Sequence, residues 1–356
     1  MTYIIAEAGV NHNGSFEMAK KLVDVAKEAG ADAVKFQTFK AENLVTKTAK
    51  QADYQVENLK QATSQYDMLK KLELTFEEFT KLQQYCEEKG IEFLSTPFDL
   101  ESVDFLLEQL AMPTVKIPSG ELTNAPFIHY IATKQRPIIL STGMATVDEI
   151  HEALAFIAYG LAYPQQDVDI AEVEAFYKTL TAKELLQKYV TVLHCTTQYP
   201  APVYSINLKV MDEMRTTFQV PIGFSDHSEG ITIPIGAAAM GATVIEKHFT
   251  LDKKMEGPDH VASLNPQELK AMVQGIREIE EALGDGVKEP TTVELQNRQP
   301  ARKSLVAKKA IRAGEIFSCT NLTVKRPGNG IAPSQYWAYI GKTASKNYEE
   351  DAMIDE

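Results

Sequence analysis

Short apolar runs rich in Val and Ile recur along the chain, each followed by a loop and then a longer stretch with helical spacing of its apolar positions. The runs are Tyr3–Ala6, Ala33–Phe36, Glu92–Ser95, Val115–Ile117, Pro137–Ser141, Val190–His194, Pro221–Ser225 and Val244–Lys247. Continuous rather than alternating apolar character marks parallel strands buried on both faces. Eight such runs in strand–helix alternation predict a closed (β/α)8 TIM barrel. The helical stretches carry matching end signals. Ser15 is placed to cap a helix running to Gly30, Thr75-Phe-Glu-Glu78 has an acidic residue three positions after a cap, and Asn265-Pro-Gln-Glu268 opens a helix that Gly284 closes. The pattern is weakest over Tyr159–Lys188, where the acidic segment Asp167–Glu174 lengthens the fifth connection and reads as a surface insertion.

The rhythm stops after Gly284-Asp-Gly286. Residues 1–284 are therefore assigned to the barrel, 285–302, polar and with two prolines, to a linker, and 303–356 to a second domain. In the last segment Ser304–Ala307, Ala313-Gly-Glu315, Leu322–Val324 and Gly328-Asn-Gly330 give short strands and turns in a small β-rich unit.

Composition narrows the function classes. The 356 residues are 44% apolar and 24% charged, which fits a packed globular protein. A net charge of −13 opposes binding to nucleic acid or anionic membrane surfaces, although a few lysines in a cleft can still hold an anionic ligand. The three cysteines, Cys86, Cys195 and Cys319, are odd in number and form no CxxC pair, so a reducing, cytoplasmic setting is expected. The chain enters a strand at once, and neither a signal peptide nor a membrane span is expected.

In a TIM barrel the active site forms at the C-terminal ends of the strands. Nearly every run ends in candidate chemistry: Glu7, Lys35 and Gln37, Thr96, Lys116 with Ser119 and Glu121, Ser141 and Thr142, His194 with Thr196, Ser225 with His227, and Glu246 with His248. Lys35 and Lys116 among hydroxyls suit a phosphate with an adjacent carboxylate. His227 and His248 end the last two runs and converge if those strands are neighbours. Two neutral imidazoles leave coordination positions open and suit Mn, Fe, Co or Zn better than Ca. His12 is a weaker candidate for the same rim. Glu7, Glu121 and Glu246 are candidates for proton transfer or for positioning water, and Asp226 for orienting a neighbouring imidazole. Cys195 lacks a nucleophile signature and reads as a core thiol.

Taken in order, Ile5-Ala-Glu-Ala-Gly-Val-Asn-His-Asn-Gly-Ser15, Val34-Lys-Phe-Gln-Thr-Phe39, Ser95-Thr-Pro-Phe98, Lys116-Ile-Pro-Ser-Gly-Glu121 and Ser141-Thr-Gly-Met144 resemble the sialic acid synthase family. The likeness continues through Leu193-His-Cys-Thr196, Tyr199-Pro-Ala-Pro202, Gly223-Phe-Ser-Asp-His227, Glu246-Lys-His-Phe-Thr250, Gly257-Pro-Asp259 and Lys325-Arg-Pro-Gly-Asn-Gly330, so it spans both domains. The resemblance implies condensation of phosphoenolpyruvate with an N-acylated amino-hexose, dependent on a divalent metal, Mn or Mg. By the same resemblance Lys35, Thr96, Lys116, Ser119, Ser141, Thr197 and Ser225 bind phosphoenolpyruvate, and His227 and His248 hold the metal. Glu7, Gln37, Glu121, Tyr199 and Asp259 meet the sugar. Thr197 departs from some members, which carry an asparagine there.

The last segment resembles the antifreeze-like SAF domain of this family, which implies a domain-swapped homodimer in which Arg326 reaches the sugar of a partner subunit. The expected acceptor is N-acetylmannosamine, giving N-acetylneuraminate. The alternative is 2,4-diacetamido-2,4,6-trideoxymannose, giving legionaminate. Two distant alternatives are opposed by residues: a barrel metallohydrolase would carry a His-x-His pair, and ice binding by the last segment is opposed by Lys308, Lys309, Arg312, Lys325 and Arg326.

Overall fold

Eight parallel strands form the central sheet of the computed structural model, which describes residues 1–52, 56 and 64–355. They are β1 (Tyr3–Gly9), β2 (Ala33–Thr38), β3 (Glu92–Pro97), β4 (Val115–Ile117), β5 (Ile138–Ser141), β6 (Val190–Cys195), β7 (Ile222–Asp226) and β8 (Val244–His248). Their order, β3-β2-β1-β8-β7-β6-β5-β4, puts first and last in sequence side by side, and β3 packs against β4 to complete the barrel. Strand residues are almost all buried because helices cover the outside while side chains fill the inside. That double burial is why the strands read as unbroken apolar runs.

The helix signals sit where the sequence puts them. Ser15 caps the helix Phe16–Ala29, and Gly30 ends it in the left-handed region at φ 83°. Thr75 and Asn265 each form a capping box, with Glu78 and Glu268, at the starts of helices Phe76–Lys89 and Pro266–Leu283. The stretch expected as a surface insertion is a helical layer, Ile170–Tyr177 and Leu180–Tyr189. It is docked on the helix Val147–Ala162, where the Tyr159 hydroxyl donates to Glu172 at 2.7 Å. Among the described residues no helix is long and apolar enough to cross a membrane.

The chain divides into two compact units, Met1–Gly284 and Asp285–Glu356. The expected linker is not structureless: Thr291 and Glu294 form a capping box that starts a helix over Thr292–Ala301, none of whose residues is buried. Beyond it, β9 (Ser304–Ala307) and β10 (Leu322–Lys325) pair antiparallel over a small core that includes Leu305, Ile311, Phe317, Tyr348 and Ile354.

Candidate active site

Successive side chains of a strand point to opposite faces, so a two-residue period decides what enters the barrel. Glu7 on β1 is level with Lys35 on β2 and with His248 on β8, and Ser225 on β7 is level with Glu246 on β8. These groups meet inside. Lys35 Nζ lies 2.6 Å from Glu7 Oε2 and 3.6 Å from Glu246 Oε2, and donates to Thr96 Oγ1 at 3.0 Å. Lys116 Nζ lies 3.4 Å from Glu246 Oε1, the oxygen that also accepts the Ser225 hydroxyl at 2.9 Å.

The groups border a cavity of about 240 Å³. It is lined by Glu7, Lys35, Gln37, Thr96, Lys116, Ser119, Ser141, Thr197, Tyr199, Ser225, His227, Glu246, His248 and Asp259, all singled out in the sequence. Glu121 is absent from the lining. The chain after β4 closes into a single 3-10 turn, Ser119–Glu121, and the Glu121 carboxylate accepts from Asn124 Nδ2 at 2.7 Å. Arg326 follows β10 in the second unit. His12 is fully buried away from the lining, with Nδ1 accepting the Gly14 N–H at 3.1 Å. The sequence reading passed over the apolar lining, namely Val10, Met68, Leu69, Leu72 and Phe98.

Two buried ammoniums and two buried carboxylates divide their protons unequally. Burial raises Glu7 to about 7, against the opposing pull of Lys35 and with the further push of Glu246. Burial acts on Glu246 in the same direction, but the Lys116 and Lys35 ammoniums and the Ser225 hydroxyl outweigh it and hold that carboxyl down at about 2. Burial lowers Lys116 despite Glu246 beside it. For Lys35 the effect of burial is overcome by Glu246 and Glu7, which raise it. Of the two, Glu246 is the carboxyl held toward its ionised form and Glu7 the one displaced toward its protonated form. Burial also lifts Asp259 to about 6.

Both imidazoles are held neutral by burial, His227 at about 4 and His248 well below its ordinary value. His227 Nδ1 lies 2.7 Å from the Thr196 carbonyl. A carbonyl only accepts, so Nδ1 carries the proton and Nε2 keeps a free lone pair. The His227 and His248 ring centroids are 5.5 Å apart, and Tyr199 stands 4.2 Å from the first ring and 5.8 Å, edge-on, from the second. His248 Nδ1 is buried without a hydrogen-bond partner. Among the described residues no cluster of three or more His, Cys, Asp or Glu side chains is placed to hold a metal. A two-imidazole donor set with an orphaned nitrogen nevertheless fits a divalent transition ion that keeps water or substrate oxygen at its remaining positions.

The opposite face of the same strand ends is braced. Asp226 and Lys247 are register partners, with Lys247 Nζ 2.5 Å from Asp226 Oδ2 and both side chains fully buried. Asp226 also accepts the Ser228 N–H at 3.0 Å and the Ser228 hydroxyl at 2.9 Å, while Lys247 donates to the Ser228 carbonyl. The residues immediately before the two imidazoles thus lock β7 to β8. On the neighbouring arc, Ser119 Oγ accepts the Gly143 N–H at 2.9 Å and lies 3.2 Å from Cys195 Sγ. A Cβ on Gly143 would collide with the Thr197 hydroxyl and come within 2.9 Å of Ser119 Oγ, so any larger residue there would have to displace these two hydroxyls.

Converging charged, hydroxyl and imidazole groups at the C-terminal rim of a parallel barrel form the active site of a TIM-barrel enzyme. Residues 22–288 match the NeuB family and residues 302–356 match the SAF domain. The chain is 50% identical over 355 residues to the N,N'-diacetyllegionaminic acid synthase of Campylobacter jejuni, covering 100% of this chain and 99% of that one. It is 46% identical over 345 residues to the N,N'-diacetyllegionaminic acid synthase of Legionella pneumophila, covering 97% and 91%. Among solved structures it resembles N-acetylneuraminic acid synthetase from Leptospira borgpetersenii serovar Hardjo-bovis, with TM-score 0.66 and 30% identity over 83% of this chain and 90% of that one. The chain belongs to the NeuB family, the sialic acid synthase family.

Proposed function

We propose that the chain condenses phosphoenolpyruvate with 2,4-diacetamido-2,4,6-trideoxymannose and water to give N,N'-diacetyllegionaminate and phosphate. N-acetylmannosamine, the acceptor expected from the sequence, gives way to the diacetamido sugar because the relatives at 50% and 46% identity are both N,N'-diacetyllegionaminic acid synthases. The observation that carries the reaction type is the single cavity in which Lys35 and Lys116 face Glu7 and Glu246 beside two neutral imidazoles.

In this reading Lys35 and Lys116 hold the phosphate and carboxylate of the donor, and the hydroxyls of Thr96, Ser119, Ser141, Thr197 and Ser225 supply directed donors. Ser141 Oγ, buried and without a hydrogen-bond partner, is ready for such a contact. His227 and His248 would hold a divalent ion, Mn or Mg, whose contribution when bound is Lewis-acid polarisation of the sugar aldehyde. A bond forms from the donor's C3 to the aldehyde carbon. Water then adds at the donor's C2, and phosphate leaves with cleavage of its C–O bond. Glu7, displaced by burial toward its protonated form, suits delivery of the proton that the aldehyde oxygen takes up. Gln37, Tyr199 and Asp259 complete the sugar site. Glu121, which does not line the cavity, and Arg326, supplied by a partner subunit in a domain-swapped homodimer, join it by family resemblance alone.

The test is phosphate release from phosphoenolpyruvate with each of the two sugars and a series of divalent ions, followed by the product mass. Release with the diacetamido sugar and a product of the legionaminate mass is expected. Turnover of N-acetylmannosamine alone would reject the acceptor, and no release with either sugar would reject the reaction.

A further inference from the structure

We infer that the apolar wall of the cavity is a specificity subsite that selects an acceptor whose far end is deoxygenated and acylated. This rests on the condensation proposed above and deepens it by naming the residues that choose the sugar. The cavity has two characters. Its lysines and glutamates lie within the strands themselves, whereas Val10, Met68, Leu69, Leu72 and Phe98 come from the segments that follow β1, β2 and β3. Met68, Leu69 and Leu72 share one helix, Gln65–Leu72, and Met68 and Leu72 are 6% and 8% exposed. With Val10, Phe39 and Phe98 they form a hydrophobic cluster separate from the barrel core, so the wall is packed in advance and does not depend on a ligand to assemble it.

The side chains of this wall offer no hydrogen-bonding group beyond the weakly accepting thioether of Met68. N-acetylmannosamine would bring it hydroxyls at C4 and C6, which would lose water without gaining partners. The diacetamido-trideoxy sugar carries a methyl at C6 and an acetyl methyl on its C4 amide, and both gain by leaving water. Phosphoenolpyruvate has no comparable apolar end and belongs with the lysines. The wall therefore acts on the choice of acceptor and not on the donor.

The experiment compares kcat/KM for the two sugars, and KM for phosphoenolpyruvate, in the wild type, Met68→Gln, Leu69→Gln and Met68→Leu. Gln keeps the length and helix preference of Met but brings a polar end to the wall. The preference for the diacetamido sugar should fall about tenfold in the Gln variants, the scale on which an apolar pocket discriminates one carbon. KM for phosphoenolpyruvate should stay unchanged, and Met68→Leu should keep the wild-type preference. A preference unaltered by either Gln substitution, or an equal loss with both sugars and the donor, overturns the inference while leaving the condensation standing. A wild-type enzyme that does not use the diacetamido sugar overturns the acceptor assignment, and the subsite with it, before any variant is read.

Discussion

Replacing Lys247 by Met isolates the brace behind the two imidazoles. Met has nearly the length of the lysine stem, so the substitution removes a charge without opening a large void. It leaves the Asp226 carboxylate fully buried with only the two Ser228 donors at 3.0 and 2.9 Å. Breaking a buried ion pair from one side costs roughly 3–5 kcal/mol, because the remaining charge stays desolvated and unmatched. For a unit the size of this barrel, a loss of about 1 kcal/mol lowers Tm by roughly 2–4 °C, so a fall of about 6–20 °C is expected. The assay is thermal unfolding followed by near-ultraviolet circular dichroism. A companion, Lys247→Met with Asp226→Asn, removes the stranded charge while the amide oxygen still accepts the Ser228 N–H, and should recover half or more of the loss. A Tm within about 2 °C of wild type for Lys247→Met, or a double variant no better than the single, would refute the reasoning.

Three other outcomes are expected. His227→Ala or His248→Ala should abolish metal-dependent phosphate release and weaken Mn binding measured by electron paramagnetic resonance, with Tm little changed in His248→Ala, whose Nδ1 has no hydrogen bond to lose, and lowered in His227→Ala, which gives up the bond to the Thr196 carbonyl. Full activity in either variant would end the assignment of the imidazole pair. Arg326→Ala should raise the sugar KM more than the phosphoenolpyruvate KM, and equal effects would make Arg326 structural. Burial holds His12 at about 4 against an ordinary 6.5, so the unfolded chain binds the proton first. Its contribution is complete above pH 6.5 and is lost as pH falls through 4, a change of roughly 3 kcal/mol. Glu7 works in the opposite sense: raised from 4.5 to about 7, it costs stability as pH rises through that interval. Urea midpoints from pH 4 to 8 check both signs, and an acid slope unchanged in His12→Gln would refute the first.

Much of this was legible in the sequence because parallel strands buried on both faces leave few alternatives to an apolar run, and because capping boxes such as Thr75 with Glu78 are written locally. The inward set followed from one period: Glu246 and His248 are two apart and share a face, whereas Lys247 between them must turn the other way. Glu121 lies outside the cavity lining because β4 is only three residues long and the chain turns before this side chain can face inward, a turn that the sequence motif does not reveal. The apolar wall was hidden for a different reason. The spacing of Met68, Leu69 and Leu72 announces a helix with a buried face, but only the three-dimensional path after β2 decides that the face borders the cavity. The Thr292–Ala301 helix, which buries none of its residues, lacks the apolar stripe by which helices are ordinarily read.

The clasp between Lys35 and Glu7 has a consequence for turnover. A bare ammonium at that depth would make the resting barrel hard to fold and would grip any anion too firmly to let it go. With Glu246 held as an anion 3.6 Å away and Glu7 at contact distance, an arriving donor exchanges one counter-ion for another. The departing phosphate leaves behind a lysine already provided for, so the vacant enzyme is a comfortable state to which each cycle can return.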